Sequence, residues 1–88
     1  MTRAELQKYI EENRVYGAKF VLGRLLKQPG VIGYAKDNFG WYYYYISDND
    51  IVHKQYYVSE HLCTNRVFER LMYIAKCEGH PIKNLPKR

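Results

Sequence analysis

The sequence of this 88-residue chain has few cysteines and prolines and no long apolar run. Its apolar stretches fall far short of the ~20 residues that cross a bilayer, and charged residues near the N-terminus replace the apolar core of a signal peptide. We therefore expect a soluble, cytoplasmic protein that makes no membrane contact. Its two cysteines, Cys63 and Cys77, fall in one predicted helix. A rise of ~1.5 Å per residue keeps them too far apart for a disulfide.

Sequence patterns that carry catalysis or metal binding are also missing. There is no glycine-rich phosphate loop and no nucleophile elbow, and the three histidines, His53, His61 and His80, fall on different predicted elements. We therefore predict no metal, no cofactor and no catalytic residue. The one arrangement that suits an enzyme is His53 with Lys54 beside a row of tyrosines, which would serve proton transfer in a ribonuclease.

Tyrosine and positive charge are what the chain has in excess. Ten residues are tyrosine, 47% are hydrophobic, and the net charge is +5. This apolar content is enough for one core, and the chain is too short for two, so residues 1–88 are expected to form a single domain. The positive charge, part of which falls in a predicted basic tail over residues 79–88, favours an acidic protein or a nucleic acid as partner.

Capping residues predict one helix near each end of the chain. Thr2 and Glu5 have capping-box spacing ahead of an apolar face, which predicts a helix over residues 3–13. Ser59 is a good N-cap and Gly79 a good terminator, which predicts a second helix over residues 59–78.

Between these helices, residues 15–58 are expected to form a sheet. Three strands are predicted between turns, at residues 31–36, 41–47 and 51–58. Residues 15–22 alternate as a strand does, but nearby leucines also fit a helical face, so residues 16–27 stay open between strand and helix. The predicted class is α+β, a small antiparallel meander of three to four strands flanked by an N-terminal and a C-terminal helix, in the order α-β-β-β-β-α.

The strand at residues 41–47 supplies the predicted binding surface, because it is bulky and uncharged on both faces. Because side chains alternate along a strand, one face carries Trp41, Tyr43 and Tyr45, and the other carries Tyr42, Tyr44 and Ile46. Helices cover only one face of a small sheet, so the other face is expected to be an exposed aromatic patch. Alternation alone does not decide which of the two faces is the exposed one. The same patch also suits cross-strand stabilisation or a homodimer contact. With the helices over Trp41, the predicted partner-binding residues are Tyr42, Tyr44, Ile46, Lys54, Tyr34 and Lys36.

The tryptophan-containing strand and the start of the last helix also carry a particular order of residues. Gly40-Trp41 opens the strand, Tyr44-Tyr45-Ile46-Ser47-Asp48 ends it, and Val58-Ser59-Glu60 precedes Cys63. This order resembles a family of small immunity proteins from bacterial polymorphic-toxin systems. The resemblance implies stoichiometric inhibition of a toxin with an acidic contact surface, and a phage-encoded inhibitor of a host protein fits equally. The alternative is a small basic nucleic-acid-binding domain whose aromatic rings stack on bases.

Overall fold

The computed structural model describes residues 1–82, which form two helices and four strands. In chain order these are α1 (Arg3–Glu12), β1 (Lys19–Leu22), β2 (Val31–Asp37), β3 (Gly40–Ile46), β4 (Val52–Tyr57) and α2 (Glu60–Cys77). The predicted α+β class and the order α-β-β-β-β-α are confirmed. Neither of these two helices is long and apolar enough to span a bilayer. Most of the predicted basic tail, residues 83–88, lies outside the described residues.

Both helices begin at the capping residues that the sequence predicts. The Thr2 hydroxyl accepts a hydrogen bond from the Glu5 backbone N–H at 3.1 Å, and the Glu5 carboxylate accepts one from the Thr2 N–H at 3.1 Å. The capping box of α1 is therefore complete. At the start of α2, the Ser59 hydroxyl accepts a hydrogen bond from the Leu62 N–H at 3.3 Å. Gly79, with a left-handed φ of 86°, follows the end of α2.

The sheet has the strand order β1-β2-β3-β4, with antiparallel pairing of β2 with β3 and of β3 with β4. β1 differs from the predicted meander because it pairs in parallel with β2. Parallel neighbours require the chain to return along the sheet before the second strand begins. Residues 23–30 make that return without a helix, and we call them the crossover segment.

β1 is also shorter than the strand predicted over residues 15–22. The Glu78 carboxylate, just beyond α2, accepts hydrogen bonds from the backbone N–H groups of Tyr16 and Gly17, at distances between 2.7 and 3.0 Å. These bonds attach the preceding segment to the C-terminal end of α2 instead of the sheet. The sequence left residues 16–27 undecided between strand and helix. In the structure they contain a strand at Lys19–Leu22 and no helix.

Apolar clusters lie on both faces of the sheet. The helices cover the face that carries Tyr34 and Tyr43, where Leu6, Val67 and Leu71 have no exposed surface. A smaller cluster lies on the opposite face, where its buried members are Val21, Val31, Ala35, Tyr42, Tyr44 and Ile46. Leu26 of the crossover segment packs against this second cluster. Both faces of β3 are consequently buried along much of the strand.

Candidate partner-binding surface

Most of the residues that the sequence predicts as an exposed patch are buried. Tyr42, Tyr44 and Ile46 do lie on the face away from the helices, but their exposed fractions are only 3%, 0% and 3%. Leu26 and Val52 pack against them on this face. The expectation of an open aromatic face is therefore wrong, because a segment without regular secondary structure contributes to covering it.

Tyr44 holds the crossover segment against the sheet. Its hydroxyl donates a hydrogen bond to the Arg24 carbonyl oxygen at 2.9 Å and accepts one from the Leu26 backbone N–H at 3.1 Å. Burial raises the pKa of Tyr44, so the hydroxyl keeps its proton at neutral pH. Tyr44 contributes to the fold here, and it offers no surface to a partner.

Tyr34 is another predicted partner-binding residue, and it lies beneath the helices with no exposed surface. Its hydroxyl donates to Glu60 Oε2 at 2.7 Å and accepts from Arg3 Nε at 2.8 Å, while Arg3 and Glu60 form an ion pair at 2.7 Å. Burial and the bond to Glu60 raise the pKa of Tyr34 to about 12, and the bonds from Arg3 and Tyr34 lower the pKa of Glu60. The three groups join α1, β2 and α2, and none of them changes charge near neutral pH.

Exposed aromatic and aliphatic side chains lie together at the turn between β2 and β3. Phe39 at the tip of this turn is 87% exposed, Val58 is 92% exposed and Tyr56 is 45% exposed. The Phe39 and Tyr56 rings meet edge to face with centroids 6.4 Å apart. A groove of about 550 Å³ opens here, which we call the turn groove, and its lining residues are Lys36, Phe39, Gly40, Trp41, Tyr56, Tyr57 and Val58.

Two lysines of the predicted partner-binding set, Lys36 and Lys54, are exposed beside these rings. The Lys36 Nζ lies 5.4 Å from the centroid of the Trp41 ring, and the Lys54 Nζ lies 4.5 Å from that of Tyr42. Lys54 also forms an ion pair with Asp37 at 3.7 Å. Cation–π contacts of this kind order a lysine side chain while it keeps its charge. Lys36 therefore places an ordered positive charge at the turn groove, whereas the charge of Lys54 is paired with that of Asp37.

Asp37 fixes the turn that carries Phe39. Its Oδ1 accepts a hydrogen bond from the Phe39 backbone N–H at 2.8 Å, and its Oδ2 accepts one from the Tyr56 hydroxyl at 2.6 Å. The hydrogen bond from Tyr56 lowers the pKa of Asp37 most, and the bond from the Phe39 N–H lowers it further. The bond between Tyr56 and Asp37 also raises the pKa of Tyr56 to about 12. The backbone of Phe39 is therefore held by Asp37, while its side chain remains exposed.

This turn is expected to loosen in acid. Because the fold lowers the pKa of Asp37 below its ordinary value of 3.8, the charged carboxylate stabilises the turn above that value. The contribution is lost as the pH falls through the lowered pKa. NMR of the Phe39 amide from about pH 6 to about pH 2 should show a titration with its midpoint below the ordinary value, and Asp37→Asn should abolish it. A midpoint above the ordinary value would contradict the assignment.

The enzyme-like arrangement of His53 and Lys54 is not assembled. His53 stacks on Tyr45 with ring centroids 4.4 Å apart and an interplanar angle of 7°, whereas Lys54 points to Tyr42 on the other face of the sheet. Within residues 1–82, no three His, Cys, Asp or Glu side chains gather as a metal site. Both cysteines are free thiols, as predicted, and burial raises the pKa of Cys63 to about 11.

Comparison with known proteins adds no relative: no protein-family model, curated protein or solved structure matches this chain. The turn groove is therefore the candidate functional site of this chain. Sequence reasoning missed three of its exposed residues, Phe39, Tyr56 and Val58. The exposure of Phe39 could have been predicted from the sequence, because it is an apolar residue within a tight turn made otherwise of Asp, Asn and Gly.

Proposed function

We propose that this chain is a noncatalytic binding protein that inhibits an acidic partner protein by covering part of its surface. The turn groove supports this proposal. Phe39 and Val58 are almost fully exposed beside Tyr56. Burial of apolar surface yields about 25 cal/mol per Å², so a partner that covers these side chains would gain this free energy. Contiguous exposed apolar side chains with polar neighbours are typical of protein interaction sites.

The charge around the turn groove favours an acidic partner. Lys36 is among the residues that line it, and the chain as a whole carries a net charge of +5. The charges of Asp37 and Lys54 offset each other in a nearby ion pair, so Lys36 supplies the net positive charge at the groove. An acidic protein that inserts an apolar side chain into the turn groove would match both the shape and the charge, and the charge of Lys36 would speed association.

An immunity protein that neutralises a bacterial toxin, or a similar inhibitor from a phage or a host, is the biological role that we propose. Such an inhibitor needs a rigid surface and no chemistry of its own. Asp37 accepts a hydrogen bond from the Phe39 backbone N–H at 2.8 Å, so the backbone of the turn has little freedom left to lose on binding. The order of residues from Gly40 to Cys63, which resembles that family, is the second support.

Phe39→Ala is expected to weaken binding of the partner about 30-fold, which corresponds to about 2 kcal/mol for an aromatic residue at the centre of an interface. The fold should be unchanged, because the side chain is 87% exposed. Tagged wild-type protein would capture the partner from its native lysate after nuclease treatment. The purified partner would then be titrated calorimetrically with each variant.

Tyr16→Ala is the matched control, because Tyr16 is 97% exposed and contributes nothing to the turn groove. This variant should bind the partner as the wild type does. Equal affinity of Phe39→Ala and wild type would contradict the proposed surface. Binding that disappears with nuclease, and that falls steeply with salt, would instead favour the nucleic-acid alternative.

A further inference from the structure

β1 is the edge strand of the sheet, and its outer side is free of strand pairing within residues 1–82. The strand order β1-β2-β3-β4 places only β2 beside it. The backbone N–H groups of Lys19 and Gly23 each donate at 3.0 Å to a carbonyl oxygen on the β2 side. Because backbone groups alternate between the two sides of a strand, the N–H and C=O groups of Phe20 and Leu22 point away from β2. Such an edge is a template for pairing with another extended chain.

A groove of about 610 Å³ follows this free edge, and we call it the edge groove. All of β1 (Lys19–Leu22) lines it, although side chains alternate between the two faces of a sheet. The edge groove therefore runs along the edge of the strand and not over one face. Its other wall is α1, which contributes Arg3, Ala4 and Gln7. An extended peptide that enters such a groove gains main-chain hydrogen bonds from the strand and side-chain contacts from the walls.

The edge groove carries positive charge that the fold does not neutralise. Lys19 begins β1 and Arg24 lies two residues beyond its end, and both are exposed residues that line the groove. Neither forms an ion pair with a described residue. Arg3 also lines the groove, but its charge is offset by that of Glu60 at 2.7 Å. None of the described residues that line the groove is acidic. Lys19 and Arg24 therefore favour a ligand that carries carboxylates.

We propose that β1 binds an extended acidic peptide, which joins the sheet as an additional strand in the edge groove. The outward N–H and C=O groups of Phe20 and Leu22 pair with the peptide backbone, and Lys19 and Arg24 bind its carboxylates. A second copy of this chain is a poor occupant, because its net charge of +5 brings like charge to the groove. The edge groove shares no residue with the turn groove, so it stands independently of the proposed inhibitor function.

The test starts with random short peptides that are displayed on phage and selected on the immobilised full-length protein. Peptides rich in Asp, Glu and β-branched residues should be enriched, because they match the charge and form strands. When the most enriched acidic peptide is bound, the Phe20 and Leu22 amides should exchange hydrogen at least about tenfold more slowly. An absence of acidic peptides, or unchanged exchange at both amides, would overturn the proposal. Protection of these amides that rises with protein concentration in the absence of peptide would also overturn it, because a second copy would then be the occupant.

Charge reversal distinguishes the edge groove from the net charge of the chain. Lys19→Glu and Arg24→Glu should each raise the Kd for this peptide about tenfold in a calorimetric titration. Lys27→Glu is the matched control, because Lys27 is equally exposed on the crossover segment and does not line the edge groove. This variant should bind the peptide as the wild type does. Equal weakening in all three variants would show attraction by net charge alone and would contradict the site.

A bulky side chain on the α1 wall tests the shape of the edge groove. Ala4 is exposed and lines the groove, so Ala4→Trp should fill it and weaken peptide binding at least about tenfold while the protein stays folded. Ala4→Ser is the matched control and should bind normally. Undiminished binding by Ala4→Trp would contradict the site. Phe39→Ala should bind this peptide with wild-type affinity, so a failure of the edge groove and a failure of the turn groove are distinguishable.

Discussion

Replacing Gly33 with alanine is expected to detach β1 from the sheet and to lower the free energy of unfolding by more than about 3 kcal/mol. A Cβ atom at this position would lie 1.9 Å from the Val21 carbonyl oxygen and 3.2 Å from the Tyr44 hydroxyl. The carbonyl belongs to the backbone of β1, which pairs with β2 in this register. It cannot move far enough without breaking that pairing and exposing Val21.

Urea denaturation would measure this loss, with Gly30→Ala as the control. Gly30 has a left-handed φ of 83°, and a Cβ atom there would have no neighbour within 4 Å among the described residues, so its substitution meets only backbone strain. That strain is about 1–2 kcal/mol for an L-residue. Equal losses in the two variants would contradict the explanation by steric overlap.

The second large effect is expected at Tyr44. Tyr44→Ala removes a fully buried ring and should lower the free energy of unfolding by about 3–5 kcal/mol. Tyr44→Phe keeps the ring but leaves the Arg24 carbonyl and the Leu26 N–H without their shared partner. A loss of about 1–3 kcal/mol is expected for this smaller change. Hydrogen exchange at the Leu26 amide should accelerate in both variants.

Tyr42→Phe is the control for the hydroxyl, because Tyr42 lies on the same strand and face as Tyr44 and is also buried. Its hydroxyl makes no hydrogen bond to another residue in the range 1–82. A change below about 1 kcal/mol is therefore expected. If Tyr42→Phe and Tyr44→Phe were equally destabilising, the bonds to the crossover segment would not be the cause.

The starts of the helices could be predicted from sequence because capping is local. Thr2 and Glu5, like Ser59 and Leu62, are only three residues apart in the chain. The direction of β1 could not be predicted in this way. Residues 19–22 alternate identically in a parallel and an antiparallel strand, and the return over residues 23–30 depends on bonds to Tyr44, far along the chain.

The candidate binding surface was harder to predict than the faces of the sheet. Alternation places Tyr42 and Tyr44 together on one face of the sheet without deciding which face the helices cover, and in the structure that face lies away from the helices. Their exposure depends on what packs over them, and Leu26 comes from a segment with no periodic pattern. Of the predicted residues, Lys36 and Lys54 are the exposed ones. Phe39 falls in a turn between two predicted strands, where an apolar side chain has little opportunity for burial.

The only tryptophan of the chain, Trp41, lines the turn groove, with Lys36 above its ring and the Tyr34 ring centroid 6.0 Å away. Indole emission responds to the polarity and the charge of its surroundings, and a nearby tyrosine can pass excitation to it. The protein thus carries its own optical reporter at the surface proposed for binding. A partner that displaces water from the indole would shift its fluorescence to shorter wavelengths, so occupancy can be followed without attaching a dye.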